Sequence, residues 1–333
     1  MITARLPVRF QLRLPGRFPG RRRTALALGL GLCLLAACDP VTRPRRSPLP
    51  PQRPATLNAA DPQNHSDRSK ALARYYRQVQ DDLLTRGLLR TDGGGPDTRF
   101  DADDLVDDFE NIAFFDEYTR TASSSGRGAA GELSRWSGPV RLGIEFGASV
   151  PRDQRTKDTN SITGYVNRLA RITGHPIAMT KGSPNFHVFV AGEDDRAYVQ
   201  ARIKQLIPTI SPSELAMFGN LPRSFYCLVI AVSGSRDRNS YTRAVALIRA
   251  EHPDLVRLSC IHEEIAQGLG LPNDSPEARP SIFNDDDEFA LLTNHDELLL
   301  KMLYDPRLKP GMTAEQARPV TRIIARELMG QRL

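Results

Sequence analysis

The order of strand and helix patterns between residues 138 and 270 constrains the fold more than any other feature of the sequence. Residues 140–146 alternate apolar and polar side chains, as a half-buried strand does, and residues 225–233 form a strongly apolar strand. Further patterns predict short strands at residues 176–180, 186–190 and 243–249, and helices at residues 158–173, 194–207 and 254–269. We therefore expect an α+β domain over residues 138–333.

A pair of helices is predicted ahead of this domain, in residues 66–120. Apolar side chains recur there at three- and four-residue steps, and Ser66 or Asp67 can cap the first helix. Residues 121–137 begin with a run rich in serine, glycine and alanine, which is typical of a flexible joint. We expect the helical pair to pack on the domain that follows the joint.

Residues 1–37 have the pattern of an export signal. They contain seven arginines and no acidic residue, and residues 24–37 form an uncharged stretch directly after three consecutive arginines. This stretch is too short to cross the hydrocarbon core of a bilayer as a helix, which takes roughly 20 residues. It fits the apolar region of a secretory signal peptide with its positively charged region in front.

The signal ends in Leu35, Ala36, Ala37 and Cys38, a run that resembles the lipobox of bacterial lipoproteins. The resemblance implies that Cys38 becomes the new N-terminus and carries acyl chains such as palmitate, which anchor the chain to a membrane facing the periplasm. The alternative is an ordinary cleavage site with an incidental cysteine. Asp39 resembles an inner-membrane retention signal and favours that membrane.

Residues 38–65 are rich in proline and arginine, a composition that favours an extended tether over a packed core. The net charge of +6 comes from the leader, because removing its seven arginines leaves 38 basic side chains against 39 acidic ones. A nucleic-acid-binding domain needs a basic face. The sequence therefore argues against nucleic acid as a partner.

The stretch around Glu263 carries the main signal for chemistry. A zinc-binding helix needs two ligands four residues apart, with a glutamate beside the first as general base. Counting from His262 fails, because the residue four positions on is Ala266. Counting from Glu263 gives Gln267, with Glu264 in the position of the base. We expect His262 to be a hydrogen-bonding histidine and not a ligand.

With Gly270 and Asn273, this stretch resembles the zinc-binding helix of metzincin peptidases, which reads His-Glu-x-x-His-x-x-Gly-x-x-His. Phe283 stands where the methionine of the Met-turn would be. Thr293 and Asp296 have the spacing of a capping box and begin a segment that resembles the closing helix of that clan. The resemblance spans about residues 138–305. It implies a zincin-like fold, with a mixed sheet, an active-site-type helix and a closing helix.

The three zinc histidines of the metzincin pattern correspond here to Glu263, Gln267 and Asn273, and only the catalytic glutamate is retained, as Glu264. Neutral amides are poor zinc ligands, and without a metal-bound water Glu264 has nothing to activate. We therefore expect no metal and a vestigial Glu264. The alternative is an oxygen-rich divalent-metal site at Glu263, Gln267 and Asn273, with Asp274 as a further ligand.

The chain also resembles a proteobacterial family of lipoproteins of unknown function. That resemblance is carried by the Glu-Glu-x-x-Gln and Leu-Gly-Leu-x-Asn-Asp core and by the Leu-Tyr-Asp-Pro-Arg-Leu-x-Pro-Gly-Met run at residues 303–312. It includes the N-terminal helices and implies no known activity.

These features predict an envelope lipoprotein with a degenerate zincin-like domain. We expect it to be a non-catalytic binding or scaffolding module, a pseudo-peptidase, with an envelope peptide or protein added along an edge strand as its partner. A metal-dependent, peptidase-like hydrolase with Glu264 as general base is the alternative. A third reading is a purely structural lipoprotein in which the chain's own side chains fill the cleft.

Cys227 and Cys260 are the cysteines that remain after the leader and the anchor. In an oxidising cell envelope two such thiols pair readily, and the bridge would join the apolar strand to the helix of Glu264. We predict this disulfide. The alternative is a pair of buried free thiols.

Overall fold

The computed structural model describes residues 65–115, 131–235 and 237–331. The predicted signal peptide, Cys38, almost all of the tether and most of the joint lie outside the described residues. None of the helices within the described ranges combines the length and the hydropathy needed to cross a bilayer.

The described chain is an α+β fold, as the sequence predicted. Its helices are α1 (Asp67–Thr85), α2 (Ala102–Ala113), α3 (Arg152–Thr173), α4 (Arg196–Leu206), α5 (Pro212–Gly219), α6 (Asp254–Gln267), α7 (Asn294–Tyr304) and α8 (Ala314–Leu328). Its strands are β1 (Arg135–Trp136), β2 (Val140–Phe146), β3 (Ile177–Met179), β4 (Phe186–Ala191), β5 (Cys227–Ser233) and β6 (Ser240–Arg249).

The strands form one mixed sheet. Strands β3, β2, β4 and β6 lie side by side and run parallel, with Val188 of β4 opposite Ala246 of β6. Strand β5 pairs with β6 in the antiparallel direction, so that Val229 also lies opposite Ala246. The two residues of β1 pair with the start of β6. The carboxyl ends of β2, β4 and β6 therefore meet at one edge of the sheet.

Both faces of the sheet are buried, which explains why its central strands read as almost continuous apolar runs. Val188 faces the larger core, which includes apolar side chains of α3, α6 and α7. The next residue, Phe189, faces a smaller core that α4 and α5 close with Ile203 and Phe218. Helix α6 is thus held inside the larger core, and its polar side chains from Arg257 to Gln267 are buried with it.

The two N-terminal helices pack on the domain at different places. Ser66 caps α1, because its Oγ accepts a hydrogen bond from the Ser69 N–H at 3.1 Å. Helix α1 contacts the short 3-10 helix Glu193–Asp195 after β4, whereas α2 contacts α7 and α8. Helix α2 therefore lies near the C-terminal half of the domain.

Candidate functional site

Helix α6 carries the residues that the sequence singled out, and every residue from Ser259 to Gln267 is buried. The end of α6 is fixed against the sheet because the Trp136 Nε1–H donates a hydrogen bond to the Gly268 carbonyl at 2.9 Å. A Cβ at Gly268 would overlap the ring of Phe186, so only glycine allows this close approach.

The chain turns back after α6 at Gly270, where φ is +132°. A Cβ there would lie 2.6 Å from the Ser134 carbonyl oxygen, so the position requires glycine. The Tyr304 hydroxyl of α7 donates a hydrogen bond to the Leu269 carbonyl at 2.9 Å and holds the turn in place. The turn brings Asp274 back against α6, where it meets Gln267.

Five polar side chains of α6 and of the segment that follows its turn are buried, and we call them the α6 cluster: Glu263, Glu264, Gln267, Asn273 and Asp274. Carboxylate oxygens of Glu263 and Glu264 lie within 4.8 Å of each other. Gln267 Nε2 donates a hydrogen bond to Asp274 Oδ1 at 3.1 Å. The partner of Gln267 is therefore Asp274 and not Asn273.

Asn273 binds the cluster to helix α2. Its backbone N–H donates to the Ile112 carbonyl at 3.2 Å, and its Nδ2 donates to the Asn111 carbonyl at 2.8 Å. Helix α2 thereby contacts the cluster through Asn273. Glu263 is 0% exposed, Glu264 and Gln267 are 1% exposed, and a substrate in solvent does not reach them.

The donor chemistry of the α6 cluster does not fit zinc. Its side chains are carboxylates and amides, whereas structural and catalytic zinc sites rely on imidazole and thiolate. The Cys227 Sγ lies within 4.8 Å of both glutamates, but it is bonded to Cys260 and offers no thiolate. The Gln267 Oε1 and Asn273 Oδ1 atoms are buried and accept no hydrogen bond within the described chain. Such oxygens suit a hard cation better than zinc.

The predicted disulfide is confirmed, because Cys227 of β5 and Cys260 of α6 are joined with an S–S distance of 2.06 Å. The bridge closes a separation of 33 residues and ties the helix of the α6 cluster to the sheet.

The segment with Phe283 is hydrogen-bonded to Ser275, the residue that follows the α6 cluster in the chain. Phe283 is completely buried, and its carbonyl accepts a hydrogen bond from the Ser275 N–H at 2.8 Å. Asp296 at the start of α7 accepts from the Ser281 Oγ at 2.6 Å and from the Thr293 N–H at 2.8 Å. The predicted capping box of α7 therefore also anchors the segment that contains Phe283.

His262 is a neutral histidine of the core. Its Nδ1 accepts a hydrogen bond from the Leu292 N–H at 3.1 Å, and its ring stacks on Tyr165 with 4.0 Å between the ring centroids. Burial, together with the nearby Arg168 charge, lowers the pKa of His262 to about 3. The sequence-based expectation that His262 is hydrogen-bonded agrees with these contacts.

An ion pair between α7 and α2 has no counterpart in the sequence patterns. The His295 Nε2 lies 3.1 Å from Asp108 Oδ2, and the side chains of both residues are buried. Burial alone would lower the pKa of His295, but Asp108 and the adjacent Asp296 raise it to about 9. The pair joins residues that are far apart in the chain, and therefore no local spacing indicates it.

Comparison with known proteins gives one match. A family model described as "Protein of unknown function (DUF2927)" matches residues 102–323, from the first residue of α2 into α8. Searches of curated proteins and of solved structures find no match. The match covers two thirds of the chain and includes the whole α6 cluster, and it confirms the predicted membership of a family of unknown function. The chain belongs to the DUF2927 family.

Proposed function

We propose that this protein is a lipid-anchored protein of the bacterial cell envelope whose zincin-like domain is a non-catalytic binding module. The observation that carries the proposal is the state of the two amides at zinc-ligand positions. Gln267 and Asn273 donate their amide hydrogens to Asp274 and to the Asn111 carbonyl. Their amide nitrogens are used in internal hydrogen bonds, and burial keeps both side chains away from solvent, since Gln267 is 1% and Asn273 2% exposed.

The zincin-like part of the proposal is supported by the order of elements. A mixed sheet with one antiparallel strand is followed by the helix with Glu264, by a glycine turn and by a buried segment under the closing helix. This is the order that the resemblance to metzincins implies. Glu264 is retained in this framework, but burial separates it from any peptide bond in solvent.

The binding surface that we propose for a peptide partner is the edge of the sheet at β5. Among the described strands, β5 pairs with β6 alone, and its last two residues, Val232 and Ser233, are partly exposed. An unpaired strand edge offers backbone donors and acceptors to an added strand. An envelope peptide or protein segment is the partner that fits this edge.

Metal content and peptidase activity test the non-catalytic role. We expect the full chain, extracted in detergent without added metal, to hold less than about one zinc per ten chains, because its donor set lacks imidazole and thiolate. Glu264→Gln should leave any residual peptide hydrolysis unchanged. One tightly held zinc per chain, or hydrolysis that Glu264→Gln abolishes, would contradict the proposal.

Cys38→Ser tests the anchor separately. We expect the natural chain to incorporate labelled palmitate and to remain with membranes, whereas the variant should incorporate none and enter the soluble fraction. An unlabelled natural chain would reject the lipid anchor and leave the non-catalytic role untouched.

A second candidate function is a hydrolase with an oxygen-ligated metal. The buried Gln267 Oε1 and Asn273 Oδ1, with no donor among the described residues, favour it beside the carboxylates of Glu263 and Glu264. Calcium and magnesium prefer such oxygen ligands. A rise in melting temperature with calcium or magnesium, absent in Glu263→Gln and accompanied by a hydrolysis that chelation stops, would establish this candidate over the first.

A further inference from the structure

A cavity of about 240 Å³ lies where the parallel strands end, and we call it the carboxyl-end cavity. Its walls include Ser149 after β2, Gly192 after β4 and Glu251 after β6. Helix α1 contributes another wall through residues that include Ser69 and Ala73. In sheets of parallel strands, ligands bind in the crevice outside the carboxyl ends of the strands. The carboxyl-end cavity therefore lies at the position where, in this architecture, the loops after the strands surround a ligand.

Glu251 is the carboxylate among the described residues that line this cavity, and it is 9% exposed. Its Oε1 accepts hydrogen bonds from the Ser69 Oγ at 2.8 Å and from the Glu193 N–H at 2.6 Å. Its Oε2 is buried and accepts no hydrogen bond from the described chain. A buried carboxylate oxygen without a donor is costly, and a ligand cation or N–H group would satisfy it.

Burial raises the pKa of the Glu251 carboxyl. A cation bound beside it would favour the ionised form and offset that effect. The hydrogen bonds from Ser69 and Glu193 hold the carboxylate in one orientation, so that its second oxygen is kept free of protein donors.

The same cavity is lined by two cationic side chains of α1. Lys70 and Arg77 are separated by seven residues, which places them two turns apart on one face of the helix, with Ala73 between them. Both residues are exposed. Lys70 lies 3.9 Å from the fully exposed Asp67, a pair that solvent weakens, and Arg77 forms no salt bridge with another described residue. They are available to the anionic end of a ligand.

We propose that the carboxyl-end cavity binds a small zwitterion of the amino-acid class, with its ammonium group on Glu251 and its carboxylate on Lys70 and Arg77. The size fits this class, because the cavity of about 240 Å³ has room for roughly eight waters at about 30 Å³ each. Drug-sized ligands occupy larger pockets of roughly 300–1,000 Å³. The proposal does not depend on what the α6 cluster does.

Titration calorimetry on the full chain in detergent tests the site with glycine, L-alanine and D-alanine as probes. Propionate and ethylamine are matched controls, since they carry only the carboxylate or only the ammonium group of alanine. We expect saturable binding of at least one of the three amino acids and none of the controls at the same concentrations. No binding of any of the three, or equal binding of propionate, would overturn the proposal.

Substitutions then test the contacts. Glu251→Gln should weaken amino-acid binding at least tenfold, because a charge-assisted hydrogen bond of about 1.5–3 kcal/mol corresponds to roughly 10- to 100-fold in affinity. Lys70→Ala combined with Arg77→Ala should weaken it threefold or more. Arg74→Ala, on the same helix but not lining the cavity, is the matched control and should bind as the natural chain does.

Ala73→Leu keeps the proposal testable if Glu251→Gln does not fold. The larger side chain enters the cavity from α1 without altering any charge, and we expect it to abolish binding while the chain still unfolds cooperatively on heating. Binding that survives both Ala73→Leu and the double cation variant would show that the amino acids bind elsewhere.

Discussion

The α6 cluster and the carboxyl-end cavity are opposite cases of how polar residues lie in this fold. The cluster is dense in the residue types that sequence motifs highlight, yet its side chains are buried and its amide nitrogens donate to other protein groups. The cavity has no recognisable motif, yet it is open and is lined by a buried carboxylate with one oxygen free of hydrogen bonds. The difference teaches that a polar motif on a helix is not a site unless the fold leaves it accessible.

Removal of the disulfide should have the largest effect on the free energy of unfolding, because this bond fixes α6 to the sheet directly beside Glu263 and Glu264. Cys227→Ala combined with Cys260→Ala should lower the free energy of unfolding by about 3–4 kcal/mol, the entropic value for a closed loop of this length. Guanidinium chloride unfolding of the full chain measures the loss.

Reduction of the natural chain with dithiothreitol is the control that separates loss of the bridge from loss of the side chains. The double variant and the reduced chain should agree within about 1 kcal/mol. A loss below about 1 kcal/mol in both would mean that α6 is held without the bridge. Amino-acid binding in the carboxyl-end cavity should be unaffected.

The ion pair of His295 with Asp108 gives a pH-dependent effect on the α2 side. Because the folded pKa of His295 is raised to about 9, its contribution is fully present below about pH 6.5 and is lost as the pH rises through 9. We expect the free energy of unfolding to fall by about 3 kcal/mol between pH 6 and pH 9. Urea unfolding of the natural chain and of His295→Gln should show this fall only in the natural chain.

His175→Gln is the matched control, because His175 is partly exposed and burial lowers its pKa. It should leave the alkaline fall in place. An alkaline fall that persists in His295→Gln would show that another group causes it.

His262 should act in the opposite direction, on the acid side. Its folded pKa is lowered to about 3, so the neutral form stabilises the fold above about pH 6.5, and the contribution is lost as the pH falls toward 3. Between pH 8 and pH 5 this amounts to about 2 kcal/mol. The difference between the natural chain and His262→Gln, measured by urea unfolding at each pH, isolates this term from the carboxylates.

The parts of the fold that the sequence predicted are those set by neighbours in the chain. Ser66 caps α1, Thr293 and Asp296 form a capping box, and Gly270 turns the chain after α6. Each is a backbone contact over a few residues, and local spacing encodes it. The pairing of Cys227 with Cys260 could be predicted for a different reason, because in an oxidising compartment two cysteines have few other partners.

What the sequence did not predict depends on partners far away in the chain. The Gln267 Nε2 donates to Asp274, and the Asn273 Nδ2 donates to the carbonyl of Asn111 in α2. A backbone carbonyl is present at every residue, so its role as a partner leaves no trace in residue type. Glu251 carries only a weak signal, as an acidic residue just after an apolar strand. Its place in the wall of the carboxyl-end cavity becomes evident only in the fold, where the ends of three strands lie together.

Asn273→Ala should have the smallest effect on the free energy of unfolding. Together with a variant of the cavity, it tests the difference between the α6 cluster and the carboxyl-end cavity most directly. It removes the hydrogen bond between the cluster and the Asn111 carbonyl of α2, and we expect a loss of about 1 kcal/mol in the free energy of unfolding. Lys70→Ala, at the exposed wall of the carboxyl-end cavity, should change stability by less than about 0.5 kcal/mol. In titration calorimetry the order of the two effects should be reversed. Lys70→Ala should weaken amino-acid binding, and Asn273→Ala should leave it unchanged. The cluster contributes to stability because it is buried, and the cavity contributes to binding because it is accessible. A variant that altered both stability and binding would therefore show that the two regions are coupled through the fold.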